Sequence, residues 1–127
     1  MRVLYICTGN SFRSPVAEAL TRRYRPELEV ESAGIDATDH IAENAKELLG
    51  EQNAVQYVKP GPDQLTLRAL KEADVVVCMT EKHRKHVLQN YDVSDEKLEV
   101  WEINDPINPG VNPVIAFQKI LDRVQGF

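Results

Sequence analysis

The chain has 127 residues, 43% of them hydrophobic and 28% charged, with a formal net charge of −5. That length supports one domain with a substantial core, expected over residues 1–127, and is too short for two. The acidic balance argues against a general nucleic-acid or membrane-surface binder, and two cysteines make no disulfide framework.

Val3 to Ile6 is a continuous apolar run, as in a strand buried on both faces. From Pro15 onward Val16, Leu20 and Tyr24 recur at four-residue spacing with Ala17 beside them, which predicts a helix entered through its proline. Leu28 and Val30 alternate with Glu27, Glu29 and Glu31, so the next strand lies nearer an edge, and Ser32-Ala33-Gly34 closes it. Ile41, Ala45, Leu48 and Leu49 outline a second helix stopped by Gly50. Residues 51–63, with Pro60-Gly61-Pro62, read as loop. A third helix is expected over Leu65 to Ala73, then a buried strand, Val75 to Met79. Thr80 is placed to cap a helix showing Val87, Leu88 and Tyr91. Leu98, Val100 and Trp101 mark a fourth strand, Asp105 to Gly110 a loop, and Asn112-Pro113 the start of a last helix with Val114, Phe117, Leu121 and Val124 inward.

Strands alternating with helices predict an α/β fold: a single three-layer domain with a four-stranded parallel sheet and helices on both faces, to which the residues from Cys7 to Pro15 add a phosphate-binding loop after strand 1. Ligands bind beyond the carboxyl ends of strands in such sheets. Cys7 ends one strand and Asp105 follows another, so the fold puts both on one rim.

The segment Cys7-Thr8-Gly9-Asn10-Ser11-Phe12-Arg13-Ser14-Pro15 is the most informative in the chain. A thiol attacks phosphorus only as a thiolate, and a helix N-terminus with converging N–H groups stabilises that anion. The planar fork of Arg13 can hold two phosphoryl oxygens. Gly9 permits a tight turn or a close backbone approach. Asn10 suits a left-handed conformation or ties the loop by side-chain bonds. Ser14 can donate its hydroxyl proton toward the sulfur. Asp105, stiffened by Pro106, is the candidate acid for the leaving oxygen and then base for water. Alone it reads as turn chemistry. A buried small hydrophobe is the ordinary alternative for Cys7, and a solvated side chain that for Arg13. Neither suits a strand-end thiol beside Gly, Asn, Ser and Arg.

These residues resemble the signature of the low-molecular-weight protein tyrosine phosphatases: Cys7, five residues, Arg13, Ser14, Pro15, with Gly9 and Asn10 in the expected places. Ser32-Ala33-Gly34, the strand ending in Met79-Thr80, and Asp105-Pro106 match in order, so the resemblance covers nearly the whole chain. It implies that Cys7 is the nucleophile and forms a cysteinyl-phosphate. Backbone amides from Thr8 through Gly9, Asn10, Ser11 and Phe12 to Arg13 would hold the phosphoryl oxygens, with Ser14 supporting the thiolate. Arg13 would clamp the transition state and Asp105 serve as acid, then base. It also implies that no metal or organic cofactor is needed and that the substrate is a phosphorylated protein or small phosphoester, while the acidic charge and the lack of a membrane-length apolar run argue against nucleic acid and membrane as partners.

The departures from the family pattern bear on substrate. Phe12 stands where most members carry a second cysteine, which removes one route to a protective disulfide. Ile107 and Thr38 stand near positions where tyrosine-directed members place aromatic walls. Ser11 is a small hydroxyl, as in relatives acting on phosphoarginine, and loop hydrogen bonding explains it equally well. Arsenate reductases of this fold use two further cysteines, whereas only Cys78 is present, which reads as core. A phosphate-carrying module would have no purpose for Arg13 and Asp105. His83 and His86, among Lys82, Arg84 and Lys85, read as a solvated basic face. Trp101 reads as core, although with Tyr57 it could flank a pocket. No signal peptide is read at Met1-Arg2 and no apolar run reaches membrane-spanning length, so a reducing cytoplasm fits.

Overall fold

The computed structural model describes residues 1–127. In chain order it contains β1 (Arg2–Cys7), α1 (Arg13–Tyr24), β2 (Glu29–Gly34), α2 (Glu43–Glu51), α3 (Leu67–Glu72), β3 (Val75–Cys78), α4 (Glu81–Asn90), β4 (Leu98–Val100) and α5 (Pro113–Gln125). Short 3₁₀ turns at Val55–Tyr57 and Asp95–Lys97 lie in segments that carry no periodic signal. No helix is long and apolar enough to cross a membrane.

The four strands are parallel in the order β2-β1-β3-β4. β2 is an edge strand, as its alternating glutamates imply. The apolar runs of β1 and β3 are central because both of their faces are covered. Strand periodicity then divides the core. Val3, Tyr5 and Cys7 point toward α1, α2 and α5, together with Val77 and Met79. Leu4, Ile6, Val76 and Cys78 point the other way, with Leu65, Leu70 and Val87. The two cysteines therefore face opposite layers.

Several boundaries differ from the sequence pattern. α1 begins at Arg13, two residues before Pro15. A proline in the first turn displaces no helical hydrogen bond, so the helix extends back over Arg13 and Ser14. Gly50 lies inside α2, and Asn53 with φ +54° makes the reversal. Ile41 precedes the helix yet is buried. α3 is shorter than expected because Thr66 caps it, its hydroxyl accepting the Ala69 N–H at 3.2 Å. Val114 is not inward: it is 58% exposed, and α5 buries Ala116, Phe117, Ile120, Leu121 and Val124 instead. It shares the phase of that stripe but sits in the first turn, where nothing covers it. Trp101 is buried against Tyr5 and Phe127 and lines no part of the cavity that holds Cys7.

The chain passes from β1 outward to β2, then returns across the sheet to β3. The switch point, where α/β sheets open a crevice, therefore lies beyond Cys7 and Cys78 at the carboxyl ends of β1 and β3.

Candidate active site

β1 delivers Cys7 to the switch point, and residues 8–12 turn back into α1. None of the main-chain N–H groups from Thr8 to Ser14 has an acceptor within the protein. Buried or half-buried N–H groups are otherwise almost always paired, so a continuous run of free donors is a receptor for an anion. The turn is held open from outside through its carbonyls. Those of Thr8, Gly9 and Ser11 accept from the N–H groups of Asp36, Thr38 and Ala42, at 2.9–3.0 Å. Gly34 lets the loop sit against the end of β2. A β-carbon there would lie 2.7 Å from the Thr8 carbonyl oxygen and 2.9 Å from the Asn10 nitrogen.

A cavity of about 240 Å³ opens over this turn. Cys7, Thr8, Gly9, Ser11, Phe12, Arg13 and Asp105 line it, together with Asp36, Thr38, Ala42, Asn44, Pro106 and Ile107. The structure thus brings the predicted set together, except for two residues that lie beneath it. Ser14 Oγ is 2.9 Å from Cys7 Sγ. Asn10, at φ +53°, donates from Nδ2 to Ser14 Oγ at 2.8 Å and to Ser32 Oγ at 3.0 Å. Both roles expected of Asn10, the left-handed turn and the side-chain tie, are present. Phe12 forms part of the wall while packing into the core beside α1. Ser11 Oγ donates to the His40 carbonyl at 3.0 Å, which is loop hydrogen bonding.

Arg13 is buried and anchored through both of its terminal nitrogens. Nη1 donates to the Ile103 carbonyl at 2.9 Å, and Nη2 lies 3.3 Å from Thr8 Oγ1 and 3.4 Å from Asp105 Oδ2. The carboxylate of Asp105 is divided between two tasks. Oδ1 accepts the Ile107 N–H at 3.1 Å, closing the turn, and Oδ2 faces the guanidinium. Turn chemistry and a place at the site are therefore not alternatives for this residue.

Several contributors escaped the sequence reading. His83 is not on a solvated face: it is 2% exposed, with Nε2 2.9 Å from Thr8 Oγ1 and Nδ1 accepting the Thr80 N–H at 3.1 Å. Burial, and then the positive charge of Arg13, push it down to about 4, so it is neutral at physiological pH. The Thr-x-x-His spacing after a buried strand was the available signal, since a side chain at the third helical position reaches back to the cap N–H. Lys59, from the segment read as loop, has a side chain 8% exposed and donates to Asn10 Oδ1 and the Ser32 carbonyl, both at 2.8 Å. Ser32 in turn donates to Glu18 Oε1 at 2.6 Å, and Glu18 pairs with Arg22. Every buried side-chain polar atom has a partner.

A larger cavity of about 390 Å³ lies behind the loop among Glu18, Arg22, Lys59 and Asp63. Glu18 pairs there with Arg22 and Lys59 with Asp63, and it holds neither a thiol nor a run of free N–H donors, the features that the smaller cavity assembles. Cys78 is buried beneath the rim on the opposite face from Cys7, and burial pushes its thiol up to about 12. No group of three or more His, Cys, Asp or Glu side chains is arranged to hold a metal.

The profile of the family described as low molecular weight phosphotyrosine protein phosphatase matches residues 2–126. The chain belongs to that family. Among relatives, the low molecular weight protein-tyrosine-phosphatase PtpB of Staphylococcus aureus is 30% identical over 115 residues, 84% of this chain and 81% of that protein. The phosphatase Ptp of Acinetobacter johnsonii is 31% identical over 90 residues, 70% of this chain and 63% of that protein. Solved structures of the same fold include a YwlE mutant from Bacillus subtilis, with TM-score 0.81 and 26% identity over 99% of this chain and 92% of that one. A YwlE arginine phosphatase with a phosphorylated active-site serine in place of cysteine also has TM-score 0.81, at 25% identity over 99% and 90%. Membership of this phosphatase family makes the chain a phosphoric monoester hydrolase, with the four-stranded parallel architecture that the strand–helix alternation predicts.

Proposed function

We propose that this phosphatase hydrolyses phosphorylated protein residues, phosphotyrosine foremost, through a cysteinyl-phosphate formed on Cys7. The observation that carries the reading is the unbroken run of unpartnered N–H groups from Thr8 to Ser14, around a cavity shared by the Cys7 thiol, the Arg13 guanidinium and Asp105. The amides and the guanidinium hold the three non-bridging phosphoryl oxygens and neutralise the charge that develops on them. Sulfur attacks phosphorus, the bond from phosphorus to the leaving oxygen breaks, and Asp105 gives that oxygen its proton. Water then attacks phosphorus and passes a proton to Asp105. The S–P bond breaks, releasing inorganic phosphate and returning the thiolate. Asn10 Nδ2 can only donate, so it occupies an acceptor site on Ser14 and leaves the Ser14 proton for the sulfur. That bond stabilises sulfur as nucleophile and again as leaving group.

A second reading, hydrolysis of phosphoarginine, is favoured by the cavity wall. Phe12 is its one aromatic side chain, whereas Ser11, Thr38, Asn44 and Asp36 offer oxygens to a guanidinium. Thr38 Oγ1 already contacts the Gly9 carbonyl, and Ile107, 83% exposed, supplies apolar surface at the rim. Arsenate reduction has less support, because Cys78 is buried on the far side of the sheet from Cys7.

Turnover of para-nitrophenyl phosphate in the presence of a chelator tests the mechanism. Cys7→Ser abolishes turnover, and Asp105→Asn lowers kcat by about 10²–10⁴. Full activity in Cys7→Ser rejects the cysteinyl route. Relative kcat/KM on matched phosphotyrosine and phosphoarginine peptides decides between the two substrate readings.

A further inference from the structure

We propose that His83 is a positioning residue for the phosphoryl site: it orients the Thr8 hydroxyl so that its proton is delivered into the cavity, adding a side-chain donor to the main-chain bowl. The inference rests on the reading of that cavity as a phosphoryl site and goes beyond it by placing α4 in the binding machinery.

The direction of each hydrogen bond is forced. The Thr80 N–H can only donate, so His83 Nδ1, 3.1 Å away, is the acceptor and carries no proton. A neutral imidazole then has its proton on Nε2, which must donate across 2.9 Å to Thr8 Oγ1. Arg13 Nη2, a donor only, lies 3.3 Å from the same oxygen. Both lone pairs of Thr8 Oγ1 are thus occupied by donors, and its hydroxyl proton has no acceptor within the protein. Thr8 lines the cavity beside Cys7, Arg13 and Asp105, so the proton left over faces the space where phosphoryl oxygens sit. The same oxygen ties Arg13 Nη2 in place, while Ile103 holds Nη1 from the β4 side.

The arrangement depends on the imidazole staying uncharged, because a proton on Nδ1 would break the bond to Thr80. Burial and Arg13 oppose that charge, as do His86 and Lys82 more weakly, while Asp105 favours it. The balance holds His83 down at about 4, so the imidazole is neutral at physiological pH. The link also spans the switch point, joining the turn after β1 to the first turn of α4 after β3. A role confined to capping α4 needs only the Nδ1 acceptor. The Nε2 donation to Thr8 is what such a role leaves unexplained.

The test uses Thr8→Val, which keeps the shape of the side chain, with His83→Leu, His83→Gln and the Thr8→Val/His83→Leu double variant. The readouts are kcat/KM for para-nitrophenyl phosphate, the inhibition constant of inorganic phosphate, and the melting temperature. Loss of one hydrogen bond to a charged ligand predicts about a tenfold fall in kcat/KM and a comparable weakening of phosphate inhibition in Thr8→Val. His83→Leu gives a similar loss. The double variant is no worse than the poorer single, because both act on one bond. His83→Gln retains an acceptor for Thr80 and a donor for Thr8, and recovers most of the activity. A His83→Leu protein that melts lower but keeps wild-type kcat/KM and phosphate inhibition overturns the proposal, as do losses that multiply in the double variant. If His83→Leu does not fold, Thr8→Val decides alone: unchanged phosphate inhibition in it refutes the extra donor. Wild-type protein without phosphatase activity, or an active Cys7→Ser, sinks the underlying site reading instead. An active, Cys7-dependent enzyme indifferent to Thr8 and His83 sinks only this inference.

Discussion

Lys59→Met is the perturbation that most directly probes how the loop is built from behind. The side chain is 8% exposed, and its ammonium donates to Asn10 Oδ1 at 2.8 Å, the Ser32 carbonyl at 2.8 Å and Ser32 Oγ at 3.2 Å. Its ion pair with Asp63 contributes little, because that carboxylate is 72% exposed. Hydrogen bonds from a charged donor contribute about 1.5–3 kcal/mol each, offset in part by the desolvation that Met no longer suffers. Two acceptors keep other donors after the change: the Asp63 N–H still reaches Asn10 Oδ1, and Asn10 Nδ2 still reaches Ser32 Oγ. Met fills the volume of the lysine stem, so no cavity term is added. The net expectation is a loss of about 2–3 kcal/mol in a urea titration, or roughly 8–12 °C in melting temperature. Because Asn10 keeps its bond to Ser14, activity measured well below the melting point falls by no more than about tenfold. A variant within about 0.5 kcal/mol of wild type refutes the claim that the buried ammonium anchors Asn10 in its left-handed turn.

The pH dependence of stability should carry the signature of His83. Its folded value, about 4, lies below the free value of 6.5, so the unfolded chain binds its proton more readily. Stability therefore rises with pH between those values, by up to about 3 kcal/mol from this group, and is lost again as pH falls toward 4. Denaturation titrations at pH 4.5 and 7 should show a smaller difference in His83→Gln than in wild type. Gly34→Ala drives a methyl into the backbone of Thr8, Gly9 and Asn10, at a cost of about 1–3 kcal/mol and with a fall in kcat. Gly50→Ala meets nothing within 4 Å inside α2 and stabilises by about 0.5–1 kcal/mol, which makes it the matched control. Iodoacetamide at pH 8 should label native protein only at Cys7, as read by peptide mass spectrometry. Burial holds the Cys78 thiol up at about 12, and it reacts only after unfolding.

The front of the site was legible because it is local. Cys7, the turn and Arg13 lie within one strand–loop–helix unit, and the residue types are those an anion-binding turn requires. The edge position of β2 followed from the same kind of signal, since Glu29 and Glu31 alternate with Val30 along one short segment. The floor and walls were not legible, because each is supplied across a long sequence separation. Ser32 is 22 residues from Asn10, Lys59 is 49, His83 is 75 from Thr8, and the Ile103 carbonyl is 90 from Arg13. No periodicity encodes such pairings. They arise only when parallel strands bring their carboxyl ends to one rim. His83 was misread for a definite reason: Lys82, Arg84 and Lys85 around it do mark an outward helix face, but a residue at the third position of a helix leans back toward the cap and, here, into the crevice. Lys59 was invisible for the opposite reason. Its Pro-Gly-Pro surroundings signal a loop, and a loop lysine is normally solvated. What allows its burial is the acceptor set beneath the turn, Asn10 Oδ1, the Ser32 carbonyl and Ser32 Oγ, which replaces the water that would otherwise solvate the ammonium. Two cations therefore bracket one loop. Arg13 lies at the cavity, where the substrate's phosphoryl oxygens would meet it. Lys59 lies behind, where it holds the backbone geometry on which those N–H donors depend.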